Sequence, residues 1–131
     1  ILNGIPFIAE CGGFMYLSEA IADSPMVGVF PGKCFNADKL TRFGYITLRA
    51  QQSSMLFRRG EEIPAHEFHY WDHENPGNDF TALKNSGRQW QCGYSGETFY
   101  AGFPHFHFYA KPETANRFYQ ACIHYKETDH A

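Results

Sequence analysis

The sequence predicts an α/β chain with a helix near each end and a strand-rich middle, and three observations carry that prediction. A short apolar run, Ile5 to Ala9, meets Cys11-Gly12-Gly13 and then a helically spaced set, Phe14, Leu17 and Ile21 with Met15 on the flank. From Gly44 the period changes to two, and short aromatic-rich runs alternate with turn residues. Pro112-Glu113 opens a final segment with Ala115, Phe118, Tyr119, Cys122 and Ile123 on one helical face.

Taken in order, the first unit reads as strand, tight turn and helix with a cysteine at the apex, the layout of a nucleophile elbow. The glycines keep the thiol uncrowded and admit turn torsions that other residues adopt at a cost. A cysteine at a helix N-terminus faces unpaired N–H groups and the positive end of the helix dipole, which favours thiolate. The Gly12 N–H then points where an oxyanion would form. The competing reading is packing, since free cysteine is among the most buried residue types.

The first helix is expected to end near Ala22, before Asp23-Ser24-Pro25. Met26 to Phe30 reads as a short strand closed by Pro31-Gly32-Lys33, and Cys34 to Leu40 as irregular. Tyr45, Thr47 and Arg49 alternate with Ile46 and Leu48 as a strand. Ser54 to Phe57 is a short apolar run before a polar turn, Arg58 to Glu62. Ala65 to Trp71 reads as a strand, with His66, Phe68 and Tyr70 on one face and Glu67, His69 and Trp71 on the other. After the turn Asn75-Pro76-Gly77, Phe80–Leu83, Gln89–Gly93 and Glu97–Ala101 are expected as strands. The tail from Lys126 is polar and expected to fray.

The 131 residues suit one domain, 1–131. Hydrophobic residues make up 44% and charged residues 19%, which marks a folded chain. A net charge of −3 offers no footprint for nucleic acid or an anionic membrane. No apolar run approaches the roughly 20 residues that span a bilayer, and the start shows no signal peptide. The first residue is Ile1 rather than Met, as expected for a piece of a longer chain or a processed one. Cys11, Cys34, Cys92 and Cys122 lie far apart without a C-x-x-C pair, so reduced thiols and a cytoplasmic location are expected. Cys92 and Cys122 read as packing residues, and Cys34 follows a turn without a nearby base.

Histidine concentrates on two predicted strands. His66-Glu67-Phe68-His69 is one residue short of the helical zinc-protease spacing. A metal site from His66, His69, His73, His105 and His107 is arithmetically open, but nothing fixes its geometry, and no metal is expected. His105 and His107 share a strand face. For any one histidine, a hydrogen bond within a half-buried sheet is the simpler role. Yet a reactive Cys11 needs an acid and base in reach, and histidine suits both tasks.

Four stretches in fixed order carry a resemblance. They are Ala9-Glu10-Cys11-Gly12-Gly13-Phe14-Met15-Tyr16-Leu17, Phe43-Gly44-Tyr45, Ala65-His66-Glu67-Phe68-His69-Tyr70, and Tyr100-Ala101-Gly102-Phe103-Pro104-His105-Phe106-His107-Phe108. Over Asn3 to Tyr119 the chain resembles the glutamine amidotransferase domain of the cobyrinic acid a,c-diamide synthases, in its C-terminal portion.

That resemblance implies a class I amidotransferase, flavodoxin-like α/β sheet with flanking helices, N-terminally incomplete here. It implies Cys11 as nucleophile and His105 as its activating histidine, because related branches keep the first histidine of that segment and replace the second. The third acidic partner of the wider class is not evident in this branch. Gly12 and Gly13 match the oxyanion turn. Glu67, His69 and His107 fall in motif segments beside the site, as support and substrate contacts. Glutamine is the implied substrate, and a synthetase domain carrying ATP, magnesium and a corrinoid is the implied partner.

The chain departs from the family pattern at Phe103-Pro104, at Ala65 in place of glycine, and at Trp71 in place of a small polar residue. No cofactor is expected in this chain, which has no Gly-rich phosphate loop. The family's upstream strands include the loop that supplies a second oxyanion donor. Without them sheet edge is exposed and self-association is expected, a homo-oligomer. The alternatives are a non-catalytic corrinoid- or partner-binding domain of the same lineage, or a histidine-rich metal-binding module.

Overall fold

The computed structural model describes Ile1 and residues 3–129. It is a strand-rich mixed α/β structure of three small sheets and two helices. The chain runs β1 (Phe7–Glu10), α1 (Gly12–Leu17), β2 (Ser18–Ile21), β3 (Ser24–Pro25), β4 (Phe30–Asn36), β5 (Arg42–Ala50) and β6 (Glu62–His69). It continues through β7 (Trp71–His73), β8 (Phe80–Leu83), β9 (Gln89–Cys92), β10 (Tyr94–Ser95), β11 (Phe99–Gly102) and β12 (His105–Phe106). A 3-10 turn at Phe108–Ala110 leads into α2 (Pro112–Asp129).

The sheets have the orders β1-β11-β10, β12-β6-β5-β8-β9 and β3-β2-β4-β7. Among the described residues, β1 with β11 and β2 with β4 are the strand pairs that run parallel, and an isolated bridge joins Gly77 to Gly93 in the same sense. The α/β class expected from sequence therefore holds. In place of one flanked sheet, the described residues form three, and most strand pairs are antiparallel.

The first helix is shorter than its apolar spacing suggests. It stops at Leu17, and Ser18 turns extended with its hydroxyl donating to Phe14 O at 3.0 Å. Ser18 to Ile21 pair with β4 instead, through Ser18↔Phe30 and Ala20↔Lys33. Parallel pairing outweighs a helical preference that six residues can barely sustain. The expected strand at 26–30 is likewise displaced to β4. The N–H groups of Val27 and Val29 are used elsewhere, donating to the Tyr16 and Leu17 carbonyls that the short helix leaves unpaired. Cys34 to Asn36, expected irregular, complete β4.

Ser54 to Phe57 is not a strand. Met55, Leu56 and Phe57 are buried as a plug in the main core, held by Met55 N–H donating to Gly96 O. That core gathers Ile46, Leu48, Ile63, Phe80 and Tyr100, with Phe118 and Ala121 of α2 against it. A second cluster, Ala9, Phe14, Met15, Phe30, Cys34, Ala101 and Phe103, lies around the β1–α1 junction.

The inner face of α2 is turned relative to the expected one. Ala115 and Tyr119 are exposed, whereas Thr114 is buried and Arg117 and Phe118 face inward. The register follows from a clasp. Arg117 Nη1 donates to Glu61 Oε2 at 2.5 Å and Nη2 donates to Glu61 Oε1 at 3.0 Å. Nη1 also donates to Leu56 O at 2.9 Å. The helix persists to Asp129, so the expected fraying from Lys126 is not seen up to there. The last two residues of that tail lie outside the described ones.

The Arg117 hydrogen bonds hold the Glu61 carboxyl at a pKa of about 2, against a usual 4.5, with the Arg58 N–H helping and burial opposing. Between those two values the unfolded chain binds more protons than the folded one, so stability rises with pH there and is lost as pH drops through the range. Glu61→Gln is expected to cost about 2 kcal/mol at neutral pH. Urea unfolding should show that gap closing as pH drops from 4.5 towards 2 and unchanged above that range. A gap that does not depend on pH would remove the clasp from the account.

Among the described residues no helix is long and apolar enough to cross a membrane.

Candidate functional site

Cys11 sits at the junction of β1 and α1 with φ 50° and ψ −106°. Few non-glycine residues adopt such a backbone, and it costs on the order of 1–3 kcal/mol. The conformation is held from both sides. Cys11 N–H donates to Gly102 O at 2.8 Å, and Met15 N–H donates to Cys11 O at 3.0 Å. The strain thus lies on the cysteine itself, and neither Gly12 nor Gly13 has a positive φ. Both glycines are exposed. A side-chain carbon on Gly12 would meet nothing within 4 Å, and one on Gly13 would touch only the Ala9 Cβ at 3.6 Å.

The expected thiolate preference is overturned. Burial pushes the Cys11 thiol above its ordinary value; the Gly12 N–H pulls the other way, and Glu67 and Glu10 push up again. A helix of six residues supplies too little dipole to reverse this. The resting group is a thiol, and nucleophilic use of it needs a base.

His105 reaches the same corner from β12, which pairs with β6 through His105↔His66 and Phe106↔Ala65. Its Nδ1 lies 3.2 Å from Glu10 Oε2, while Phe106 N–H donates to Glu10 Oε1 at 2.9 Å. The His66 ring stacks on it at 5.0 Å and 20°. Among the described residues no hydrogen bond joins Cys11 to His105. Such contacts often close only when substrate binds.

Glu67 and His69 share one face of β6 and His66 and Phe68 the other, as the strand alternation predicts, and the Glu67–His69 face is the buried one. His69 Nδ1–H donates to Trp71 O at 2.5 Å, and its ring stacks on Phe103 at 4.1 Å. His69 Nε2 is 3.6 Å from Glu67 Oε1, and neither this nitrogen nor Glu67 Oε2 makes a hydrogen bond. A cavity of about 30 Å³, lined by Arg42, Glu67, His69, Gln91 and Phe103, lies beside them. On the other face, a cleft of about 300 Å³ is lined by Phe43, Tyr45, His66 and Phe68.

His107 lies just past β12, exposed, with its N–H donating to Pro64 O, and among the described residues no hydrogen bond ties its side chain to Cys11, Glu10 or His105. His73 is also separate. It is buried, accepts Asn75 N–H at Nδ1, and so donates from Nε2 to Ser18 Oγ at 3.0 Å. Burial lowers its pKa and suits this neutral role. Burial raises the Cys34 pKa and the Ser18 hydroxyl lowers it, so that thiol shares the Ser18 hydroxyl's surroundings with His73. Among the described residues no three His, Cys, Asp or Glu side chains are placed to hold a metal ion. The residue that sequence reasoning missed is Glu10. Its place directly before the cysteine was the available signal, but only the β12 return brings His105 to it.

The corner thus combines a cysteine of strained backbone at a strand–helix turn with a carboxylate, one residue before it, that contacts a histidine of β12. Residues 1–113 match the family model of the CobB/CobQ-like glutamine amidotransferase domain, and the chain belongs to that family. It is 36% identical over 128 residues to a cobyrinate a,c-diamide synthase of Caldanaerobacter subterraneus, covering 92% of this chain and 28% of that one. The synthase of Thermoplasma volcanium is 35% identical over 134 residues, covering 97% and 29%. That of Salmonella typhimurium is 36% identical over 121 residues, covering 85% and 26%. The chain therefore spans a little over a quarter of the length of these relatives.

Proposed function

We propose that this chain carries the glutaminase half-reaction of a cobyrinate (or hydrogenobyrinate) a,c-diamide synthase, with Cys11 as nucleophile and His105 as acid and base. The strained Cys11 backbone is the observation that carries the reading. A conformation costing stability is kept where it lifts a thiol clear of its strand and aims the next N–H at the reacting carbonyl.

In this mechanism His105 takes the Cys11 proton as Sγ bonds to the side-chain amide carbon of glutamine. The carbonyl oxygen gains the negative charge beside the Gly12 N–H. Collapse breaks the C–N bond, and His105 returns its proton so that ammonia leaves and a thioester remains. Water, deprotonated by His105, then adds, and glutamate departs as the thiol recovers its proton. Gly13 keeps the approach open, and Glu67 and His69 support the corner from beneath. His107, exposed just beyond β12, is assigned to contact with bound glutamine rather than to proton transfer.

The β1–β11 parallel pair is read as part of a class I amidotransferase sheet, in a single domain of cytoplasmic location. Ammonia would pass to a synthetase domain that activates corrinoid carboxylates with ATP and magnesium. No residue set in this chain fits those groups, since its sequence has no Gly-rich phosphate loop. They belong to the parent enzyme.

A second reading rests on a separate observation. Phe43 and Tyr45 on β5, Phe68 on β6 and Tyr70 just after it are all at least half exposed. Such an aromatic face suits a docking partner or a flat ligand, and it is compatible with a chain that has lost catalysis.

Incubation with a diazo-ketone analogue of glutamine, followed by peptide mass spectrometry, separates the two. Alkylation of Cys11 with loss of nitrogen, and none at Cys34, Cys92 or Cys122, is expected. Equal slow modification of Cys11 and Cys122 would favour the docking reading.

A further inference from the structure

The histidine at the candidate site is held by a carboxylate that its own segment does not supply. The residue two places after His105 is His107, which is exposed and committed to a turn. Glu10, at the end of β1 and directly before Cys11, uses both of its oxygens on β12. Oε2 is at 3.2 Å from His105 Nδ1, and Oε1 accepts the Phe106 N–H at 2.9 Å.

An ionised carboxylate only accepts, so its contact with Nδ1 requires the proton to be on that nitrogen. The lone pair is then on Nε2, the nitrogen left to take a proton from a thiol. His66 stacks on the same ring but forms no hydrogen bond with it among the described residues. Glu10 also raises the thiol pKa of its neighbour, which works against a thiolate. A carboxylate placed there is understandable if its task is to hold the base rather than to activate the sulfur directly.

We propose that Glu10 is the positioning residue of this site. Its carboxylate locks His105 in the Nδ1–H form and ties the β12 base to the strand that presents Cys11. The proposal rests on the Cys11–His105 reading above. Because Glu10 and Cys11 are adjacent in the chain, nucleophile and base share one anchor.

Glu10→Gln tests it. The amide has a single acceptor oxygen, and keeping the Phe106 N–H on that oxygen turns the NH₂ group towards Nδ1. The ring then carries its proton on Nε2, where it can no longer act as base. Two measurements on the full chain are read together, with circular dichroism confirming that each variant is folded. Imidazole nitrogen NMR should find His105 as the Nδ1–H tautomer in the wild type and as Nε2–H in Glu10→Gln. The rate of Cys11 alkylation by the diazo-ketone analogue should fall about 10²–10⁴-fold in Glu10→Gln, and no further in the Glu10→Gln/His105→Ala double variant than in His105→Ala.

If His105→Ala slows labelling but Glu10→Gln labels at the wild-type rate, the proposal is overturned and the dyad reading stands. If the wild type is not labelled at all, the dyad reading fails. The tautomer measurement then judges Glu10 alone, because it needs no turnover. An Nε2–H tautomer in the wild type overturns the proposal whatever the variants do.

Discussion

Replacing Cys11 by glycine is expected to abolish labelling by the glutamine analogue and yet to give a more stable protein than replacing it by alanine. Elsewhere in a folded chain the order is reversed, because glycine loses more backbone freedom on folding, worth roughly 0.5–1 kcal/mol. At φ 50° and ψ −106° the alanine Cβ keeps the steric strain that the cysteine bears, on the order of 1–3 kcal/mol. Glycine removes it. The difference should leave Cys11→Gly ahead of Cys11→Ala by about 1 kcal/mol in urea unfolding. Alanine equal to or better than glycine would mean that the elbow stores no strain, and would weaken the observation on which the functional reading rests.

Tyr100→Ala should remove a large share of the chain's stability. Tyr100 is fully buried, with its ring against Phe80 at 5.4 Å and Phe106 at 4.2 Å. Deleting so large a side chain from a packed core typically costs about 3–5 kcal/mol, against a total of roughly 5–15 kcal/mol for a small domain. Tyr100→Phe keeps the ring and loses only the hydroxyl, which donates to Pro104 O at 3.1 Å. That loss should cost about 1 kcal/mol.

The hydroxyl has a positional role as well. It grips the carbonyl directly before His105, and a side chain on Gly102 would come within 2.8 Å of its oxygen. Gly102 in turn accepts the Cys11 N–H. One buried phenol therefore packs the core, requires a bare Gly102 and fixes the approach to the histidine. Burial holds its pKa well above the usual range, so it remains a donor. Thermal unfolding of the two variants separates the ring from the hydroxyl; equal losses would mean that the hydrogen bond, not packing, carries the site.

Legibility in the sequence followed the range of the interactions. β1, the turn at Cys11, β5, β6, β8, β9, β11 and the start of α2 were readable because local patterns specify them: alternation, Gly-containing turns and proline at a helix start. The displaced elements were those decided by distant partners. Ser18 to Ile21 have acceptable helical spacing, but β4 offers them a parallel ladder. Met55 to Phe57 have the composition of a strand and serve as a core plug. The inner face of α2 is set by Glu61, a residue 56 positions away.

The candidate site divides in the same way. The sequence by itself determined the cysteine at its strand–helix turn, the ordered motifs that mark the family, and the alternation of β6 that parts Glu67 and His69 from His66 and Phe68; which of the two faces is buried came from the structure. Only the tertiary structure decided that the cysteine carries the strain, that burial and two carboxylates keep its thiol protonated, and that Glu10 meets His105. The physical reason is that residue type and spacing govern torsions and periodicity within a few residues. The environment of a thiol and the partner of a histidine 95 residues from its carboxylate exist only once the strands have been brought side by side.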